Sequence, residues 1–217
     1  MKKRNIGILL CIIAAGLSAA TSANAGTATL TFQPTPDNLW NLPHDEYFTW
    51  GINFNLAPNE IITSAVLTFT NIWDSTAENN DHLYVHLLDN PKAGVTTYFD
   101  NGGEKDSFAG QGVLIADWSD PTGGCSQNFN LVIDFGKLGL LNILNAYAET
   151  KPGMGQANFG FGIDPDCHYY NNGITFTITT QTIQCPPGPP CPKYPCVPEP
   201  ATVAILGLGG LLLCRRK

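Results

Sequence analysis

The chain has 217 residues, and its 11 Lys and Arg stand against 18 Asp and Glu for a formal charge of −7. Six of the basic residues sit in two terminal clusters. The stretch 26–184 retains four lysines, no arginine and 17 acidic residues, a net charge of −13. That balance weighs against nucleic acid and anionic membrane surfaces as partners, since both demand cations from the protein, and leaves divalent cations and neutral glycans open.

At the N-terminus Lys2, Lys3 and Arg4 precede an apolar stretch from Ile6 to Ala20, and Ala23-Asn24-Ala25 sets small residues ahead of Gly26. A basic start, a short apolar core and an Ala-x-Ala end mark a secretory signal peptide. Signal peptidase is expected to cut between Ala25 and Gly26 and so remove residues 1–25.

Residues 26–184 read as one all-β ectodomain, long enough for one buried core and too short for two. Ala28 to Phe32 opens the series of strands. Phe48, Trp50, Ile52, Phe54 and Leu56 then alternate with Thr49, Gly51, Asn53 and Asn55, a period of two that gives a strand one apolar face. Ile61 onward repeats the pattern through Ala65, Leu67 and Phe69. Further strands are expected at His82 to Leu88, Val113 to Asp117, Asn128 to Phe135, Asn158 to Ile163 and Ile174 to Thr180. Asp100-Asn101-Gly102-Gly103 and Asn171-Asn172-Gly173 are turns between them. Leu138, Leu141, Leu144 and Tyr147 predict one short helix between the sixth and seventh strands, against the preference of Gly139 and Asn142. Short strands with single apolar faces predict an antiparallel β-sandwich, jelly-roll-like in architecture.

Chemical motifs are sparse. There is no nucleophile elbow, zinc-protease helix, phosphate loop or dinucleotide fingerprint, so no catalytic residue is assigned. His82 and His86 share a strand face about 13 Å apart, too far to ligate one ion, and read as half-exposed. His44-Asp45-Glu46 reads as a solvated loop. Two acidic loops offer oxygen ligands suited to calcium: Asp74, Glu78 and Asp81 in one, Asp164 and Asp166 in the other. Trp40, Trp73, Trp118, Tyr169 and Tyr170 fall at loops or strand ends, where aromatics either stack on sugar rings or close the core. Cys125 and Cys167 each lie in a turn-rich loop of an exported chain, and a disulfide between them is expected.

From Cys185 the chain becomes proline-rich, and residues 185–196 predict a stiff stalk bearing Cys185, Cys191 and Cys196. Val197-Pro198-Glu199-Pro200 follows, then an uncharged apolar run from Ala201 to Cys214, then Arg215-Arg216-Lys217. As a helix the run would span about 21 Å, short of the roughly 30 Å hydrocarbon core, so the basic residues must snorkel or the bilayer must thin. The basic end should remain cytoplasmic.

Motif, short helix and basic end, in that order at residues 197–217, resemble the PEP-CTERM sorting signal. The resemblance implies an exosortase as processing partner in a Gram-negative bacterium that makes exopolysaccharide. It further implies a membrane-anchored precursor and a mature form at the cell surface or in the extracellular matrix. The catalytic residues of that processing belong to the exosortase. The sequence reading is therefore an exported, sorted protein with a non-catalytic structural or binding body. The alternatives are a glycan- or calcium-binding module, with extracellular polysaccharide as partner, and a secreted glycan hydrolase.

Overall fold

The computed structural model describes residues 26–76, 81–100, 105–124 and 128–183. The expected signal peptide, stalk and sorting segment lie outside the described residues, among which no helix is long and apolar enough to cross a membrane. The elements run β1 Thr27–Phe32, β2 Glu46–Ile52, β3 Glu60–Phe69, β4 Trp73–Asp74, β5 Leu83–Asp89, β6 Gly94–Phe99, β7 Val113–Trp118 and β8 Leu131–Asp134. They continue through α1 Leu141–Glu149, β9 Phe159–Pro165, β10 Tyr169–Tyr170 and β11 Ile174–Thr182. The strands pair antiparallel throughout, in a four-stranded sheet β1-β11-β3-β8, a five-stranded sheet β6-β2-β9-β5-β7 and a small ribbon β10-β4.

Alternation decides which side of each strand is buried. In β11, Ile174, Phe176, Ile178 and Thr180 point inward, while Thr177 and Thr179 hydrogen-bond across the outer surface to Thr31 and Thr29 of β1 at 3.1 and 3.3 Å. Such threonine pairs suit a solvated face. The apolar faces of the two large sheets meet in one buried cluster. At its centre Phe176 of the four-stranded sheet meets Phe161 and Phe159 of the five-stranded sheet edge-on, with ring centroids 4.9 and 5.9 Å apart. Phe135, just past β8, touches Phe161 and Phe176 in turn. These edge-to-face arrangements place positive ring edges on negative ring faces.

Besides the short strands β4 and β10, which the sequence does not signal, three elements depart from the sequence reading. β2 ends at Ile52 instead of continuing to Leu56, because the Phe54 amide donates to the Asn158 side chain at 3.0 Å and leaves the ladder. β6 is an additional strand that pairs Thr96 with Thr49 and Tyr98 with Tyr47. The helix starts at Leu141, after Gly139 turns through a left-handed φ of 71°. It is tied to β3 through Asn145, whose side chain both accepts from the Ile62 amide and donates to the Ile62 carbonyl.

The aromatic contact between sheets should dominate stability. Phe161→Ala is expected to cost about 3–5 kcal/mol by removing a fully buried ring from that junction. Phe99→Ala, at the exposed end of β6, should change stability by no more than about 0.5 kcal/mol. Urea denaturation of the two variants against the parent checks the contrast.

Candidate functional site

The outer side of the five-stranded sheet is not solvated at its central strand, β9. With Phe159, Phe161 and Ile163 turned to the core, β9 turns Gly160, Gly162 and Asp164 outward, yet all of these are buried. Pro91 lies against Gly160, and the segment 105–112 covers Gly162 and Asp164 as a strap. Its Phe108 ring rests on Gly162, where an added Cβ would come within 2.8 Å of the ring. Phe108 also meets Tyr47 edge-on at 5.5 Å and His86 at 5.9 Å.

Polar bonds pin both sides of this ring. The Ser107 amide donates to Asp164 Oδ2 at 2.6 Å, and His86 contacts the Gln111 carbonyl through Nδ1 and Asp106 through Nε2, at 2.9 and 3.0 Å. A carbonyl only accepts, so the hydrogen of that bond sits on Nδ1. His86 is thus buried under the strap, a correction to the half-exposed residue read from its strand. His82 stays at the rim, 2.6 Å from Asp117 and stacked on Tyr84.

Asp164 lies in β9 and Asp166 just past its end, flanking Pro165 about 6.6 Å apart by strand spacing. Burial, followed by the charges of Asp100 and Asp106, pushes the Asp164 carboxyl up to about 6, against the opposing Ser107 amide. Burial and the charge of Asp164 push Asp166 up to about 7, with His82 opposing. Asp164 Oδ1, Asp166 Oδ1 and Asp100 Oδ2 are buried without hydrogen-bond partners. On β5, Tyr84 is paired opposite Asp164, and its phenol is raised by burial and by the surrounding aspartates.

A second cluster lies on the β4–β10 ribbon. Asp74 pairs with Tyr169 and Trp73 with Tyr170, whose rings stack at 4.4 Å. Asp74 and Asp81 are 1 % and 4 % exposed, Cys167 is half-buried, and one ligand atom from each lies within 4.8 Å of the other two. This is the single group of three such ligands among the described residues. The Cys167 thiol donates to Asp74 Oδ2 at 3.2 Å, and the Asp74 amide donates to Asp120 Oδ2 at 3.2 Å. Burial raises the Asp74 carboxyl, the nearby thiol and backbone amides opposing it. Burial and the hydrogen bond to Asp74 push the Cys167 thiol up to about 12.

Of the expected site residues, Asp74 and Asp81 therefore converge, and Cys167 joins them from 93 residues away. Glu78 and Cys125 lie outside the described residues, as do Ala25 and the sorting motif Val197, Pro198, Glu199 and Pro200. Gly26 stands directly before β1 and accepts a backbone hydrogen bond from Thr182 at 3.0 Å. Among the aromatics, Trp118 packs on Phe129 and Tyr169, and Tyr169 is fully buried, whereas Trp40 is 54 % exposed. Trp40 belongs to a left-handed turn in which Leu39, Trp40, Asn41 and Leu42 all have φ between 45 and 64°. It borders an open cleft with Pro43, Asp45, Glu46 and Thr97.

The model of the PEP-CTERM protein-sorting motif matches residues 197–217, the segment whose residues suggested it. The chain carries this sorting signal, which implies export, surface sorting and processing by an exosortase. No curated protein matches the chain.

The raised carboxyls give the strapped face a pH dependence of definite sign. Folded Asp164 and Asp166 keep protons that the unfolded chain releases near pH 4, so their contribution is fully present below about pH 4 and is lost as pH rises through about 6 and 7. Asp164→Asn keeps an oxygen to accept from the Ser107 amide and has no proton to lose. Urea midpoints across pH should show it more stable than the parent at pH 8, with the two curves converging toward pH 4.

Proposed function

We propose that this chain is an exported surface or extracellular-matrix protein, delivered through its C-terminal signal, with a non-catalytic structural or binding body. The observation that carries the reading is the sorting motif at residues 197–217. The first strand begins right after Gly26, so the body starts where the signal-peptide reading ends it. Setting β6 and the two-residue strands aside, the eight remaining strands in chain order form sheets 1-8-3-6 and 2-7-4-5. This is the strand order of a jelly-roll sandwich, an architecture shared by binding and capsid domains without a common chemistry. A glycan hydrolase needs two carboxylates open to the sugar and to water. Asp164 is fully buried beneath the strap, so the Asp164–Asp166 pair does not supply them.

Intact-mass analysis of the protein recovered from cells with their exosortase should show loss of residues 1–25 and of most of 197–217. Cells lacking the exosortase should retain the C-terminal segment. A mature surface form that still ends in Arg215-Arg216-Lys217 would refute the reading.

Trp40 favours a specific version of the binding role, in which the body holds extracellular polysaccharide. Consecutive left-handed residues other than glycine cost roughly 1–2 kcal/mol each. Buried Leu39 and Leu42 hold the turn, which leaves Trp40 presented beside Asp45 and Glu46. An exposed indole over an acidic rim suits stacking on a neutral sugar ring, with the carboxylates accepting from its hydroxyls. Affinity electrophoresis in gels containing the producing cell's exopolysaccharide should retard the parent protein, and Trp40→Ala should remove at least most of that retardation. Equal mobility of the two proteins would reject this version and leave the sorting reading intact.

A further inference from the structure

We infer that Asp74, Asp81 and Cys167 form a binding site for a thiophilic divalent cation of the zinc class. The three ligands arrive from separate segments: Asp74 from β4, Asp81 from the approach to β5 and Cys167 from the approach to β10. Their mutual spacing, within 4.8 Å, is close enough for small side-chain adjustments to bring all three onto one ion with bonds of about 2.0–2.3 Å to oxygen and sulfur.

A residue outside this trio points to the same place. Tyr169 is the cross-strand partner of Asp74, so the two side chains rise from one face of the ribbon. Its hydroxyl is fully buried, has no hydrogen-bond partner and lies in the field of Cys167, Asp81 and Asp74. Asp74 Oδ1 is likewise buried and unpartnered. Two buried, unpaired oxygens are costly, and a cation resolves both. Asp74 would coordinate it through Oδ1, and the Tyr169 hydroxyl would donate to a ligating carboxylate. Asp120 supplies the supporting contact by fixing the Asp74 amide.

The donor set selects the ion. Calcium prefers six to eight oxygens and gains little from sulfur, whereas zinc and its neighbours bind thiolate and carboxylate together in four-coordinate sites. Without a metal, the thiol proton serves as the bridge to Asp74 Oδ2. When a divalent ion enters, the sulfur–metal bond replaces the sulfur–hydrogen bond, and the proton leaves to solvent with any proton held by Asp74. Two carboxylates and one thiolate then carry a net −1 with the ion instead of −3 alone. Affinity should therefore rise steeply with pH. This inference is independent of the sorting signal.

The test titrates Co2+ into the exported protein, recovered from cells without reductant. One equivalent should produce a near-ultraviolet thiolate-to-cobalt charge-transfer band, stoichiometric Zn2+ should bleach it, and millimolar Ca2+ should leave it in place. Cys167→Ser should abolish the band, and Asp81→Asn should weaken cobalt binding at least tenfold. A band that survives both substitutions belongs to other thiols and overturns the inference. So does the absence of a band in the parent, including the case in which peptide mapping finds Cys167 in a disulfide. Thermal melting keeps the test decisive should a variant fold poorly: micromolar Zn2+ should raise the parent midpoint, and an equal rise with Ca2+ would overturn the choice of ion.

Discussion

β9 has no solvent face, and the rest of the body is arranged around that constraint. A central antiparallel strand ordinarily buries one side and hydrates the other. In β9, Phe159, Phe161 and Ile163 fill the core, while Gly160 and Gly162 leave the opposite side flat enough for other chain to lie on it. A Cβ at Gly160 would fall 2.3 Å from the Trp50 carbonyl oxygen, and one at Gly162 would strike the Phe108 ring. The same strand therefore sets how closely β2 approaches and where the strap can rest.

That double burial explains the unusual electrostatics. A body with 17 acids and four lysines has few cations with which to pair its carboxylates. The one lysine ion pair among the described residues, Lys137 with Asp134, spans 3.9 Å at the surface and contributes little. Buried carboxylates are met instead by backbone amides, a thiol, histidine rings and retained protons. Asp164 takes the Ser107 amide, Asp106 takes His86, and Asp74 takes the Cys167 thiol. Asp120 shows the better-solvated outcome. Its carboxylate accepts from the Thr122 amide and hydroxyl and from the Asp74 amide, and these donors outweigh burial to hold it below the usual range.

What could be read from the sequence was whatever depends on near neighbours. The alternation in β2, β3, β5, β9 and β11 is a local consequence of one buried face, and the Leu and Tyr spacing of α1 is local as well. β6 was not legible, since Gly94-Val95-Thr96-Thr97-Tyr98-Phe99 has no fully buried position and draws its order from pairing with β2. The burial of His86 was hidden for a related reason: its cover comes from Asp106, Phe108 and Gln111, some twenty residues along the chain. Cys167 drew attention as a disulfide partner, and its place beside Asp74 required β4 and β10 to pair first. Nothing in the local spacing of either residue signals that ribbon. The left-handed turn at Trp40 was also unmarked, as it contains no glycine.

The sorting signal and the fold meet in the placement of the body's two ends. β1 and β11 are adjacent in the four-stranded sheet, with Thr27 opposite Gln181, and the Thr182 amide donates to the Gly26 carbonyl. The chain thus enters and leaves the body at one end of one sheet, away from the strapped face of the other. Removing a segment before Gly26 or far beyond Thr182 takes no strand from either sheet, and every core contact described above lies between those two residues. Proteolytic release at both termini, if it follows the proposed processing, would be mechanically separate from folding. Such a precursor would be able to complete its core while attached and lose both attachments without reopening it. The Trp40 turn and the β4–β10 ribbon, both built within the body, would be carried into the mature protein unchanged.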